Sequence, residues 1–348
     1  MRPRKILIYR LGSLGDTVVA LPALHLIAKK YPGAQRYVLT NFGNNSKAAQ
    51  MNAVLEGTGL VQGYIEYPLA IRGLREIFKL RKIVSKGNFD TLIYLAEPRG
   101  VVRAWRDALF FFICGIRKLI GIPYTSQLNK PKEISKDMFE SHAVMLANRI
   151  SVLGDAQPYN LESYSLFINR VEREQAGILL KPLVGRKLIA ISLGAKIEIK
   201  DWGDTNWTLM LTKLADRYPH HGLVAVGVNE ESERSEALCK AWNNRYINLC
   251  GLASVRTSAA ILERCDIFIG HDSGPMHLAA AVGTRCVAIF SSYNLPGVWF
   301  PCGTSHKVLY HYEPCYGCGE QGCLLKKKIC IMSITVQEVL EAVESILN

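Results

Sequence analysis

Residues 5–16 read KILIYRLGSLGD: a short apolar run, Ile6 to Tyr9, is cut off by Arg10 and followed by a glycine-spaced loop that ends on Asp16. A run this short, bounded by turn residues, reads as a β-strand rather than a helix. Thr17 to Lys30 then reads as a helix, so the segment is the strand, loop and helix that open a βαβ unit. The rhythm continues with RYVLT (36–40), TLIYL (91–95) and KLIGI (118–122), and the series closes on a predicted helix from Asp137 to Leu153, stopped by Gly154. A second series runs KLIAISL (187–193), GLVAVGV (222–228), DIFIG (266–270) and CVAIF (286–290). These are nearly unbroken apolar runs, as expected of parallel strands covered on both faces.

The predicted layout is therefore α/β, with two doubly wound domains at 1–165 and 170–334 joined near 155–185. A last helix, Thr335 to Leu347 within 335–348, places Val336, Val339, Leu340, Val343 and Ile346 on one face. At 348 residues, 49% hydrophobic and 21% charged, the chain has enough apolar material for two cores. Its longest apolar stretch, Ala108 to Ile116, falls far below the roughly 20 residues a membrane-spanning helix needs. The apolar run after the basic N-terminus is also too short for a secretory signal, so a cytoplasmic location and reduced cysteines are expected.

The net charge is +12, and between Ala70 and Lys136 there are 14 Lys and Arg against 5 Asp and Glu. Arg72, Arg75, Lys79 and Lys82 have helical spacing, which suits a solvated helix face and equally a patch for an anionic acceptor or membrane surface. No aromatic-interleaved nucleic-acid module accompanies the charge, so no nucleic-acid partner is expected.

In open parallel sheets, ligands bind beyond the carboxyl ends of the strands, where glycine loops turn into helices with free N–H groups. Two segments fit. In the first, Gly12 and Gly15 permit close approach and Asp16 stands at the helix start, as an N-terminal helix residue or as a base. This spacing is neither G-x-G-x-x-G nor G-x-x-x-x-G-K-[ST], which argues against hydride transfer and P-loop hydrolysis. In the second, Ile269 to His277 reads IGHDSGPMH: Asp272 or Ser273 caps a helix from Met276 to Val282, Gly274 admits a phosphate, and Pro275 suits the first turn. His277 reads as a satisfied core histidine or as a ligand contact at the same helix mouth as Asp272, Ser273 and Gly274.

Three motifs in order resemble the heptosyltransferases of glycosyltransferase family nine. They are Arg10-Leu-Gly-Ser-Leu-Gly-Asp16 with Leu21-Pro-Ala-Leu24, Ser192-Leu-Gly-Ala195 with Lys200-Asp-Trp202, and Asp272-Ser-Gly-Pro-Met-His277. The resemblance implies a GT-B fold, two Rossmann-like domains facing a central cleft, and an inverting transfer that requires no cofactor. It makes Asp16 the general base and Lys200 the cation that meets the departing diphosphate. The acceptor side falls to Arg10, Gly12, Ser13 and Gly15. The donor side falls to Ser192, Gly194, Asp272, Ser273, Gly274 and His277, with Glu230 or Glu231 on the ribose. The partners it implies are an ADP-heptose-like donor, an anionic glycolipid or saccharide acceptor of lipopolysaccharide-core type, and the inner-membrane surface, to which the enzyme would be peripheral.

The chain departs from better-known members after CVAIF, where FSSYNLPGVWFP (290–301) replaces a Gly-Pro-Thr-like turn. That leaves another nucleotide sugar or acceptor open as an alternative. A noncatalytic sugar-nucleotide-binding protein is the rival of a different class, weakened by the presence of Asp16, Lys200 and His277. Finally, Cys315, Cys318, Cys323 and Cys330, in the loop 315–330, have the spacing C-x2-C-x4-C-x6-C. It suits a structural zinc or another soft metal, and equally a packed loop of thiols.

Overall fold

The computed structural model describes residues 4–42, 49–68, 73–242, 245–319, 323 and 327–348. Arg72 and the six residues 320–322 and 324–326 of the cysteine loop lie outside that set. The chain divides into two compact units, one ending at Tyr164 and the other running Ser165–Asn348.

The first unit is built on a parallel sheet of β1 (Lys5–Tyr9), β2 (Gln35–Thr40), β3 (Gly63–Glu66), β4 (Thr91–Tyr94) and β5 (Lys118–Ile120), in the order β3-β2-β1-β4-β5. Tyr9 lies opposite Leu39 on one side and Tyr94 on the other. The connecting helices are α1 (Leu14–Val19), α2 (Leu21–Lys30), α3 (Met51–Leu55), α4 (Leu74–Lys86), α5 (Val101–Ile113) and α6 (His142–Arg149). Leu80 and Val84 of α4 join Ala104, Ala108 and Phe111 of α5 in one core with Leu7, Tyr9, Leu92 and Tyr94, so both helices cover the same face of the sheet.

Two expected helices are shorter than their sequence pattern. The one read as Thr17–Lys30 is two, broken at Ala20 ahead of Pro22, which has no N–H to donate into a continuous ladder. The one read as Asp137–Leu153 is α6 alone. Asp137 takes a positive φ of 57° in the turn of a small antiparallel hairpin, β6 (Glu133–Ser135) with β7 (Met138–Phe139), and Ser141 starts the helix by accepting the Val144 N–H.

The second unit carries six parallel strands, β8 (Lys187–Ser192), β9 (His221–Ala225), β10 (Tyr246–Asn248), β11 (Ile267–His271), β12 (Arg285–Phe290) and β13 (Lys307–Tyr310), in the order β10-β9-β8-β11-β12-β13. Its helices are α7 (Arg170–Leu179), α8 (Asp204–Arg217), α9 (Ser232–Cys239), α10 (Val255–Leu262), α11 (Gly274–Ala281), α12 (Ile329–Met332) and α13 (Val336–Leu347). Helix α7, which falls inside the stretch read as a linker, belongs to this unit: Arg256 of α10 pairs with Glu172 at its start. Val336, Val339, Leu340, Val343 and Ile346 of α13 enter the same core as Trp202, Trp207 and Trp242. The capping box of Thr335 and Glu338 fixes where α13 begins.

In each sheet the strand order reverses beside its first strand, between β1 and β4 and between β8 and β11. Those are the two crevices in which open parallel sheets bind ligands.

Candidate active site

At the first crevice, β1 delivers Arg10 into the interior, where it is fully buried. Its guanidinium donates to the Asp16 carbonyl from Nη2 (2.7 Å) and Nε (3.2 Å), to the Leu95 carbonyl beyond β4 (2.9 Å), and to Nε2 of His142 (3.1 Å). Burial lowers its pKa, and the charges of Asp16 and Glu97 oppose that shift. Arg10 was expected among the acceptor contacts; fully buried, it instead anchors the loop that carries Asp16.

Gly12 is required there. Its φ is +136°, and a Cβ would lie 2.3 Å from Cβ and Cγ of Asp16. The Gly12 N–H donates to Oδ1 of Asn41 (2.8 Å). Ser13 donates to Oδ2 of Asp16 from its backbone N–H (2.8 Å) and its hydroxyl (3.2 Å), while Arg10 Nη2 stands 3.5 Å from Oδ1. Asp16 is thus the third residue of α1 and a capping group, yet its side chain stays about a fifth exposed, at 22%, at the strand ends. A carboxylate held in place but open to solvent can both orient and accept a proton. Gly15 lies within α1, between Ser13 and Asp16.

Sequence reading missed Glu97, Arg149 and His142. Glu97 follows β4 at the same crevice; its carboxyl is pushed up by desolvation and then by the charge of Asp16, although the residue keeps contact with solvent. Arg149 donates to the Ala96 carbonyl (2.8 Å), and burial lowers its pKa to about 10. The strand-end position of Glu97 was a usable signal; the arginine and histidine come from α6 and had none.

At the second crevice, β8 ends on Ser192, itself buried, and the chain passes through Gly194 to Lys200. Lys200 Nζ lies 2.6 Å from Oδ2 of Asp272, just beyond β11, and 4.9 Å from the centre of the Tyr293 ring. The same Asp272 oxygen accepts from Asn294 Nδ2 (2.9 Å), and His277 Nε2 stands 4.0 Å from Oδ1. His277 is buried and packs edge-on against Trp299, 5.9 Å between centroids. Ser273 is the N-cap of α11, but its hydroxyl is buried without a hydrogen-bond partner among the described residues. The free N–H groups at the start of α11, from Gly274 onward, with Lys200 beside them, form an anion-favouring mouth.

The K-x-W element has a physical cause. Trp202 is fully buried and donates from Nε1 to the Ile334 carbonyl (2.8 Å), so the loop carrying Lys200 is nailed to the core two residues later. His271, fully buried at the end of β11, accepts from the Trp202 N–H at Nε2 (3.1 Å), which leaves Nδ1–H to donate to the Gly194 carbonyl (3.4 Å). Burial lowers its pKa to about 4, with Asp201 and the Gly194 carbonyl partly offsetting, so the ring is neutral. Arg234 completes the frame by bonding Asp201, Asp204 and the Leu193 carbonyl.

Of the two glutamates offered for the ribose, Glu231 turns back over the strand ends and Glu230 is exposed. A Cβ on Gly194 would sit 1.7 Å from Oε1 of Glu231, which also accepts the Val228 N–H at Oε2 (3.1 Å). Burial raises its pKa. The segment 290–301, which departs from the family pattern, supplies Tyr293 and Asn294 to Lys200 and Asp272. It is pinned from behind by the cysteine loop: Gly317 N–H donates to the Ser292 carbonyl (2.8 Å) and Gly319 N–H to that of Tyr293 (3.1 Å).

The four cysteines of the loop differ in exposure. Cys315 and Cys318 are exposed, Cys323 is half-buried, Cys330 is buried in α12, and all are free thiols. Among the described residues no group of three or more His, Cys, Asp or Glu could hold a metal ion. Cys330 nonetheless stays close enough to Cys315 and Cys323 for their charges, after burial, to push its thiol up, as in a packed loop of thiols.

The fold is α/β with two parallel sheets, each carrying a ligand crevice at the switch point of its strand order. The model of glycosyltransferase family 9 (heptosyltransferase) matches residues 77–329, and the chain belongs to that family; it is a glycosyltransferase. It is 23% identical over 358 residues to lipooligosaccharide heptosyltransferase 2 of Campylobacter jejuni, an alignment covering 99% of this chain and 98% of the relative. Among solved structures it resembles the glycosyl transferase family 9 protein of Veillonella parvula (TM-score 0.72, 19% identity, 99% of this chain and 97% of that one). It also resembles the ADP-heptose LPS heptosyltransferase II of E. coli (TM-score 0.68, 19% identity, 99% and 98%).

Proposed function

We propose that this glycosyltransferase moves a heptose from ADP-heptose to a lipopolysaccharide-core-like acceptor, with inversion at the anomeric carbon, at the cytoplasmic face of the inner membrane. The observation that carries the reading is the phosphate-ready mouth of the second unit, where Lys200 and Asp272 meet beside the start of α11 (2.6 Å). The names of the relatives support the choice of donor.

In this reading the diphosphate takes Lys200 away from Asp272 and sits against the α11 N–H groups, with Glu231 on the ribose. In the first unit, Asp16 accepts the proton of the acceptor hydroxyl as that oxygen attacks the anomeric carbon. The bond from that carbon to the diphosphate breaks, and ADP leaves with the electron pair. Charge develops where Lys200 and the helix dipole already point, so little reorganisation is needed. The first unit binds the acceptor and the second the nucleotide sugar.

A different nucleotide sugar is the second reading, favoured by Tyr293 and Asn294 in the segment that departs from the family pattern. Thermal shift with ADP, UDP, GDP and CMP and their sugars separates the two. A ligand at about 100 times its Kd stabilises by about 2.7 kcal/mol, a readily measured rise in Tm. A shift confined to adenine ligands supports ADP-heptose; a preference for another base rejects it; no shift with any removes the nucleotide site.

A further inference from the structure

Helix α5 has two apolar faces. Ala104, Ala108 and Phe111 face the core, while Val102, Trp105, Leu109, Phe112 and Ile113 are 83, 58, 59, 57 and 51% exposed. At 3.6 residues per turn those five fall within an arc of about 100° on the outer side. The neighbouring α4 adds Leu74, Ile77 and Phe78, all exposed, and Leu80 and Val84 of α4 share one core with Ala104, Ala108 and Phe111 of α5, so the two helices pack side by side. Scattered surface apolar residues need no explanation; aromatic and aliphatic side chains aligned on adjacent helices do.

The rim is cationic. Arg75, Lys79, Lys82 and Lys86 run down one side of α4, and Arg103, Arg106, Arg117 and Lys118 border α5, all exposed. From Leu74 to Lys118 there are 10 Lys and Arg against 4 Asp and Glu. Of those acids, Asp107 is buried and pairs with Arg99, Tyr94 and the rim residue Arg106, and Asp90 receives the Arg4 and Lys5 N–H groups.

We infer that the outer face of α4 and α5 docks on the anionic leaflet of a lipid bilayer, Trp105, Leu109 and Phe112 entering the headgroup boundary and the cations meeting lipid phosphates. An apolar stripe rimmed with Lys and Arg is the composition of an interfacial helix. A second copy of the chain is a poor occupant, because pairing this face with itself would set cation against cation. The inference rests on the membrane location proposed above and names the surface responsible for it.

The test is flotation of the full-length protein with phosphatidylcholine vesicles and with vesicles containing one-fifth phosphatidylglycerol. The wild type is expected to float with the anionic vesicles and less so at high salt. Tryptophan fluorescence should shift to the blue and lose that shift in Trp105→Phe, since Trp202, Trp207 and Trp242 are fully buried and the half-buried Trp299 belongs to the second unit. The combined variant W105A/L109S/F112S should partition at least about tenfold more weakly. The rim variant R75E/K79E/K82E should lose its preference for anionic lipid, both variants keeping the wild-type melting temperature. Apolar and rim variants that float like the wild type would overturn this surface while leaving the membrane location standing. A wild type that floats with neither vesicle would overturn both. A dimer that the apolar variant dissolves would assign the face to self-association.

Discussion

Neutralising His271 permanently should flatten the acid limb of the protein's stability. The ring is fully buried, accepts the Trp202 N–H and donates to the Gly194 carbonyl, and burial holds its pKa near 4 against an ordinary 6.5. Above about pH 6.5 neither folded nor unfolded chain carries this proton. As pH falls toward 4 the unfolded chain takes it up and the folded one does not, so stability is lost across that window. The full shift is worth about 3 kcal/mol. His271→Gln keeps an acceptor and a donor but cannot gain a proton. Urea unfolding followed by tryptophan fluorescence reports mainly the second unit, which holds Trp202, Trp207, Trp242 and Trp299. Between pH 7 and pH 4 the wild type should lose about 3 kcal/mol more than the variant. Equal losses would refute the claim that a neutral His271 locks the Gly194 and Trp202 loops together.

Three further changes address the two crevices. Gly12→Ala forces a side chain onto Asp16 at φ +136°, so turnover should fall about 100-fold with the fold retained by circular dichroism. Lys200→Met should lower kcat by about 10²–10³, and isothermal titration should show weaker donor binding; unchanged kcat would remove Lys200 from the leaving-group site. Gly194→Ala displaces Glu231 and should weaken donor binding about tenfold, with little effect on the acceptor KM.

The central strands were legible because each is an unbroken apolar run buried on both faces. TLIYL became β4 and DIFIG became β11 within a residue or two. The edge strands β3, β10 and β13 escaped: each has three or four residues, mostly half-buried, and no apolar run to mark it. The ligand mouths were visible because glycines and Asp272 crowd the strand ends in sequence. What holds them was not, since Arg10 to Leu95, His271 to Trp202 and Asn294 to Asp272 are contacts across more than 20 residues.

The most direct test of the transfer reaction is to measure donor turnover and donor affinity together in Asp16→Asn, using ADP-heptose and a lipopolysaccharide-core glycolipid. If Asp16 takes the acceptor proton, kcat should fall by about 10²–10⁴, while the donor, bound at the second unit, keeps its Kd within about twofold. A variant that turns over at the wild-type rate would contradict the assignment.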